Sequence, residues 1–468
     1  MKGRHPSRRN FLRAAGIGAL SVIGRSVPGD QSERPRPRPN FVVILTDDQT
    51  YRAIGYTNSS VQTPNLDALA NSGIIFDYAY IATPICAASR ASMLTGLFPQ
   101  EHGSVGLDAS EFRKRVVDEG SLPTLATLLR AAGYQTGFAG KSHLGDPKAY
   151  GFQEGREYKE RGDEPTFDAA KRFLETRESG TPFLLWVATH QPHIPLLPED
   201  EWLERYDDIN IPIDPNFREK PPSGSLYNQG LPGQQYYRDS EATRNYEDIP
   251  AGPPRNREQI RDFTKAYYAT ITRLDDQVGQ LVDCLKSTGQ YENTVIVFLS
   301  DNGYFLGNHG LGNKITMHEE SVRVPMFLHW TGLPVKGVRS ESLVSSLDVM
   351  PTLLELAGEK APGHISGTSL APLFTDPERG LRGYVASECV GVGGKPGEGH
   401  RMVRTKRWKY VLTGILEEGL FDEKRDPFEL HNLAGDPEYR ESLVLMRQYM
   451  RDWMDKTGDT HPGWIQQP

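Results

Sequence analysis

Five short apolar runs, most of them followed at once by a cluster of polar residues, limit what this chain can fold into. Phe41-Val42-Val43-Ile44-Leu45 offers no polar side chain to solvent, as in a strand covered on both faces. Runs at 137–139 (short), 183–188, 295–299 and 324–328 repeat the theme. Helical patterns lie between them. One covers 122–132; another places Ile260, Phe263, Tyr267, Ile271, Leu274, Val278 and Leu285 on one stripe. Buried strands alternating with amphipathic helices predict an α/β domain, a large, mostly parallel sheet sandwiched by helices. A helix at 348–357 ends at Gly358, and the texture changes from about Pro362. Strand candidates at 384–389, 402–404 and 408–412, then a helix at 441–456, predict a smaller C-terminal α+β domain. The expected domains are therefore 40–361 and 362–468. The Pro/Tyr/Asn-rich stretch 209–257 interrupts the first as an excursion, since the alternation resumes after it.

The N-terminus stands apart. Ser7-Arg8-Arg9-Asn10-Phe11-Leu12-Arg13 reads as a twin-arginine export signal, followed by an apolar stretch at 14–23 too short to stay in a bilayer. Residues 1–29 form this signal region, and 30–39 an extended Arg/Pro linker. The expected location is periplasmic or extracellular, reached through the twin-arginine machinery. No run approaches the roughly eighteen apolar residues of a permanent span. With 53 basic against 61 acidic residues the net charge is −8, which argues against a nucleic-acid partner bound through its phosphates. The three cysteines, Cys86, Cys284 and Cys389, are too scattered for a disulfide framework or a zinc ribbon.

Chemistry gathers where strands end. Asp47 and Asp48 follow the first run, Lys141 and His143 the second, His190 and His193 the third, Asp301 and Asn302 the fourth. Ligand sites of open α/β sheets lie beyond the carboxyl ends of strands, so four such clusters suggest one site. Three facing carboxylates repel unless a cation sits between them. Oxygen-only donors suit Ca²⁺ or Mg²⁺ better than zinc, and Ca²⁺ best where protein and substrate oxygens replace water. Cys86-Ala87-Ala88-Ser89-Arg90 precedes a stretch, 89–97, that reads as the start of a helix. A thiolate there would be an ordinary nucleophile, with Arg90 one turn on as its fixed charge; equally, Cys86 would serve as a small buried hydrophobe beside a structural arginine.

Taken together, the motifs resemble those of type I, formylglycine-dependent sulfatases. Cys86-x-Ala88-x-Arg90 with Leu94-Thr95-Gly96 is similar to the family's maturation signature, with alanine where proline is commoner. The opening Asn40–Gln49 block is similar to its first metal motif. Gly133-Tyr134-Gln135-Thr136 with Gly140-Lys141-Ser142-His143, Ser300-Asp301-Asn302-Gly303 with His309-Gly310, Lys314 and Arg323-Val324-Pro325, and the closing Leu420-Phe421-Asp422 to Asn432-Leu433 segment follow in family order.

The resemblance implies an alkaline-phosphatase-like fold and the hydrolysis of a sulfate ester or N-sulfate on a sulfated saccharide. It implies one Ca²⁺ held by Asp47, Asp48, Asp301, Asn302 and position 86. Cys86 would be converted to Cα-formylglycine by a maturation enzyme, and its hydrate would attack sulfur. Arg90 would steady that group, Lys141 and Lys314 would neutralise sulfate oxygens, and His143 would help break down the covalent intermediate. His193 rather than His190 would protonate the leaving group. His102, His190 and His309 are candidate substrate contacts, and the His400-Arg401 pair a candidate for the pocket rim. Two alternatives stand beside this reading: a phosphatase or phosphodiesterase of the same superfamily, and a sulfated-glycan binding protein whose Cys86 is never converted.

Overall fold

A computed structural model describes residues 38–196, 198–227, 256–391, 394–395 and 397–461. The twin-arginine motif and most of the 209–257 excursion lie outside them.

The strands, in chain order, are β1 Asn40–Thr46, β2 Ile74–Tyr80, β3 Gln135–Gly140, β4 Glu154–Arg156, β5 Phe183–Ala188 and β6 Thr294–Ser300. They continue with β7 Phe305–Leu306, β8 Gly312–Asn313, β9 Met326–His329 and β10 Val338–Ser345, then β11 Val385–Cys389, β12 His400–Arg404, β13 Trp408–Leu412 and β14 Glu418–Asp422. The main sheet has eight strands in the order β10-β2-β9-β6-β1-β5-β3-β4. Its pairings are parallel except where β9 runs against β2 and β6. The expected α/β class holds, with one reversed strand.

The apolar runs are continuous because the sheet is covered twice. On β1, Phe41, Val43 and Leu45 point into one core, shared with the helices Cys86–Thr95, Leu125–Ala131 and Val349–Leu356. Val42 and Ile44 point into the other, shared with Pro64–Asn71, Glu164–Thr176 and Arg257–Ser287. The long Arg257–Ser287 helix starts where Asn256 and Gln259 cap each other's backbone N–H groups, at 2.9 and 3.0 Å.

A second, antiparallel sheet, β11-β12-β13-β14, carries the C-terminal helix Arg440–Thr457. Met446, Met450 and Trp453 of that helix pack on Val403, Tyr410 and Leu420. This is the smaller α+β unit read from the sequence. Strands β2 and β10 were not legible: their charged and polar residues, including Asp77 and Glu341, break the apolar pattern near the sheet edge.

Register positions the chemistry. Thr46 pairs with Ser300, Leu45 with Ala188, and Ala188 with Gly140. The residues after β6, β1, β5 and β3 therefore leave four neighbouring strands at the same level. Gly140, at φ +105, is required there, because a Cβ would fall 1.9 Å from the Ala188 carbonyl oxygen.

Candidate active site

The two carboxylates after β1 are wholly buried. Asp48 takes a left-handed backbone at φ 68, a conformation that needs outside support in a non-glycine residue. The Tyr267 hydroxyl supplies it, donating to the Asp48 carbonyl at 2.5 Å and accepting from Thr50 N–H at 3.1 Å. Across the strand gap, Asp301 N–H donates to Thr46 O at 3.0 Å, and the Ser300 hydroxyl ties the Gln49 N–H to the Asn302 carbonyl. Asn302 Nδ2 donates to Asp48 Oδ1 at 2.6 Å.

Three cations meet these acids. Arg90 binds Asp301 Oδ2 through Nε at 2.8 Å and Nη2 at 2.7 Å, and donates from Nη1 to Lys141 O at 2.5 Å. Lys141 Nζ pairs with Asp47 Oδ2, and Lys314 Nζ with Asp48 Oδ1. Burial alone would raise the Asp47 carboxyl, but Lys141, His193, Lys314 and Arg90 override it and hold Asp47 well below the usual range. Burial wins at Asp301, pushed up to about 6 with Asp47 as the next cause.

Cys86 is the first residue of its helix, which starts three residues earlier than the sequence suggested. A ligand atom from each of Asp47, Cys86 and Asp301 lies within 4.8 Å of the others. Burial raises the thiol above its ordinary value despite Lys314 and Lys141, so an unmodified Cys86 is a poor thiolate nucleophile here. Cys284 and Cys389 are also free and buried.

Three acceptor oxygens in this cluster, Asp47 Oδ1, Asp48 Oδ2 and Asn302 Oδ1, are buried without a hydrogen-bond partner. Buried acceptors are rarely left so, and two carboxylate oxygens and an amide oxygen in one cluster with a third acid, Asp301, fit a hard divalent cation.

His193 stands at the mouth. Its Nδ1 lies 2.6 Å from the Ile194 carbonyl, which assigns the proton there, and its Nε2 lies 3.7 Å from Asp48 Oδ2. His190 is turned away, with its Nδ1 3.2 Å from the buried Asp163 carboxylate. His143 is half-buried at φ 60, its pKa pushed down to about 4 by burial and then by Lys141 and Arg90, so its ring is neutral.

Three further candidates are enclosed by other protein groups. His102 is fully buried, with Ser92 Oγ 2.9 Å from Nε2 and Ser104 N–H donating to Nδ1 at 3.2 Å, so neither ring nitrogen is open to substrate. Arg401 is sealed within the small sheet, with Nε 2.5 Å from Asp459 and 3.7 Å from Glu388, and forms no pocket rim. His309 is buried, stacked on His318 with ring centres 4.2 Å apart and bonded to Asn216 at 3.1 Å.

Between segments of the main and small sheets lies a buried charge network the sequence reading passed over. Lys409 of β13, fully buried, is 2.8 Å from both Glu319 and Glu429. Glu429 also accepts from Glu319 N–H at 2.8 Å and sits 3.2 Å from His318 Nδ1. A lysine inside the apolar Trp408–Leu412 run was the available signal.

Comparison with known proteins decides the family. The model of the family described as Sulfatase matches residues 39–359. The chain belongs to the sulfatase family. A second model, N-sulphoglucosamine sulphohydrolase C-terminal, matches 307–456. An N-acetylglucosamine-6-O-sulfatase of Bacteroides thetaiotaomicron is 27% identical, covering 95% of this chain and 91% of its own. An ulvan-active sulfatase of Formosa agariphila is 30% identical, covering 88% and 80%. A solved structure of a protein in complex with its substrate D-glucosamine-2-N,6-O-disulfate superposes with a TM-score of 0.77 at 25% identity, over 91% of this sulfatase and 99% of that chain. The sulfatase is accordingly a sulfuric ester hydrolase with an alkaline-phosphatase-like fold.

Proposed function

We propose that the protein is an exported sulfatase that removes a sulfate ester or N-sulfate from a sulfated carbohydrate, using formylglycine at position 86 and one Ca²⁺. The observation that carries this reading is the set of unpartnered buried oxygens on Asp47, Asp48 and Asn302 beside Cys86 and Asp301. Asp47, Asp48, Asp301, Asn302 and the converted position 86 would hold the cation.

Charge supports the assignment. Asp47, Asp48 and Asp301 balance Arg90, Lys141 and Lys314 one for one, so a divalent cation leaves a net positive site for an anionic ester. When bound, the ion lends positive charge to the sulfate oxygens and to the nucleophile. A hydrated formylglycine has one hydroxyl to attack sulfur and a second whose deprotonation expels sulfate. Arg90, fixed by Asp301 and Lys141 O, orients position 86. The ammonium groups of Lys141 and Lys314 take sulfate oxygens. His193, its Nδ1–H held by the Ile194 carbonyl, turns Nε2 toward the leaving group; only as an imidazolium, with a second proton on Nε2, would it protonate the leaving oxygen or nitrogen as the bond to sulfur breaks.

A carbohydrate substrate is supported by the relatives, one named for N-acetylglucosamine 6-O-sulfate and one for ulvan. Export is inferred from Arg8-Arg9 in their signal context. The test joins two measurements. Mass spectrometry of the peptide holding Cys86 should show the lighter aldehyde, and Cys86→Ala should end sulfate release from defined sulfated saccharides. Full activity in that variant would end the proposal.

A further inference from the structure

Beside His193 the chain places a cation that the reaction above does not use. Arg161 Nη1 lies 3.5 Å from His193 Nδ1. That nitrogen already points its proton at the Ile194 carbonyl, so it has no lone pair to offer the guanidinium. Arg161 is exposed, and no carboxylate among the described residues pairs with it.

Its base is nonetheless fixed. Gly162 O accepts from Gln191 Nε2 at 3.0 Å and Gln277 Nε2 at 2.8 Å. The Asp163 carboxylate, wholly buried, accepts from the N–H groups of His190 at 2.9 Å and Gln191 at 3.0 Å. Arg161 is thus anchored to the same stretch that presents His193. At the loop's other end, Tyr158 N–H donates to Gly140 O at 3.3 Å, and Glu157 Oε1 lies 3.5 Å from His143 N. Residues 157–162 therefore arch over the ends of β3 and β5, acidic toward His143 and basic toward His193.

We propose that Arg161 is a specificity-determining residue that receives a second oxyanion on the saccharide, a carboxylate or another sulfate. The inference rests on the sulfatase reading with His193 as proton donor. A side chain touching that donor borders the leaving sugar rather than the sulfur. The planar fork of a guanidinium matches a carboxylate or sulfate, and no carboxylate among the described residues neutralises it. Glu157 repels an anion from the His143 side, which sets the orientation of the ring.

The test uses enzyme shown by mass to be converted at position 86, with Arg161→Gln and Arg161→Lys variants checked by thermal melt. Three saccharides carry the same scissile sulfate: one otherwise neutral, one with a neighbouring carboxylate, one with a second sulfate. In Arg161→Gln the ratio of kcat/KM for an anionic over the neutral saccharide should fall by about tenfold, the loss of one charge-assisted pair, and chiefly through KM. Arg161→Lys should recover part of it. The arm that falls identifies the oxyanion. An unchanged ratio in both arms, or an equal loss of kcat on all three saccharides, overturns the inference while leaving the sulfatase reading intact. Failure of the converted wild type to release sulfate from any of them would instead count against that reading, and this inference with it.

Discussion

Arg90 grips Asp301 with two nitrogens, Nε at 2.8 Å and Nη2 at 2.7 Å, and both side chains are buried. One residue comes from the helix that begins at Cys86 and the other from the end of β6, so this pair sets the distance between position 86 and the acids. Removing the cation strands a buried carboxylate. Arg90→Ala should cost about 3–5 kcal/mol of stability in urea unfolding. It should also lower kcat/KM for sulfate release by at least about a hundredfold. Wild-type values for both would show that the pair is incidental.

The unpartnered oxygens predict a linked response to metal. Chelation should lower the melting temperature and added Ca²⁺ restore it, by the equivalent of about 2.7 kcal/mol at a hundredfold excess over Kd. Asn302→Ala removes one orphan oxygen, Oδ1, and the bond to Asp48. It should shrink the Ca²⁺-dependent shift. The same shift in both proteins would place the ion elsewhere.

Proton donation by His193 should depend on the leaving group. His193→Ala should reduce kcat by about 10²–10⁴ for a sugar sulfate, and by much less for an aryl sulfate whose phenolate leaves unaided. A plot of log kcat against leaving-group pKa should therefore steepen in the variant. Parallel lines would assign His193 a different task.

Glu388 gives a pH prediction away from Asp47, Asp48 and Asp301. Burial pushes its carboxyl from 4.5 up to about 7, against the pull of Arg401 and with Asp459 adding to the rise. The folded state therefore holds a proton that the unfolded chain releases above pH 4.5. The stabilisation is complete below pH 4.5 and is lost as pH rises through about 7, on the order of 3 kcal/mol in all. Glu388→Gln does not titrate, so its melting temperature relative to wild type should climb between pH 5 and pH 8. A constant difference would return Glu388 to an ordinary carboxyl.

Much of this was readable in the sequence because both faces of the central strands are covered. Phe41 to Leu45 and 183–188 had to be apolar throughout, and parallel register then brings their trailing residues together whatever the loops do. Asp47, Asp48, Asp301 and Asn302 could be grouped on that logic alone. Partners recruited from afar left no local trace. Asp163 fixes His190 from the start of a helix, Tyr267 supports Asp48 from the middle of another, and Asn216 reaches His309 from the excursion. His102 and Arg401 misled because type does not reveal exposure: each is a polar residue satisfied inside the protein.

Lys409 reaches from the small sheet to two glutamates at once, one of them only five positions beyond Lys314. The smaller sheet is therefore no detachable cap. A chimera that grafts this region from a relative in search of new substrates must carry Lys409, Glu429 and Glu319 as a matched set. A truncation ahead of β11 would strip Glu319 of this lysine and leave a buried carboxylate without it.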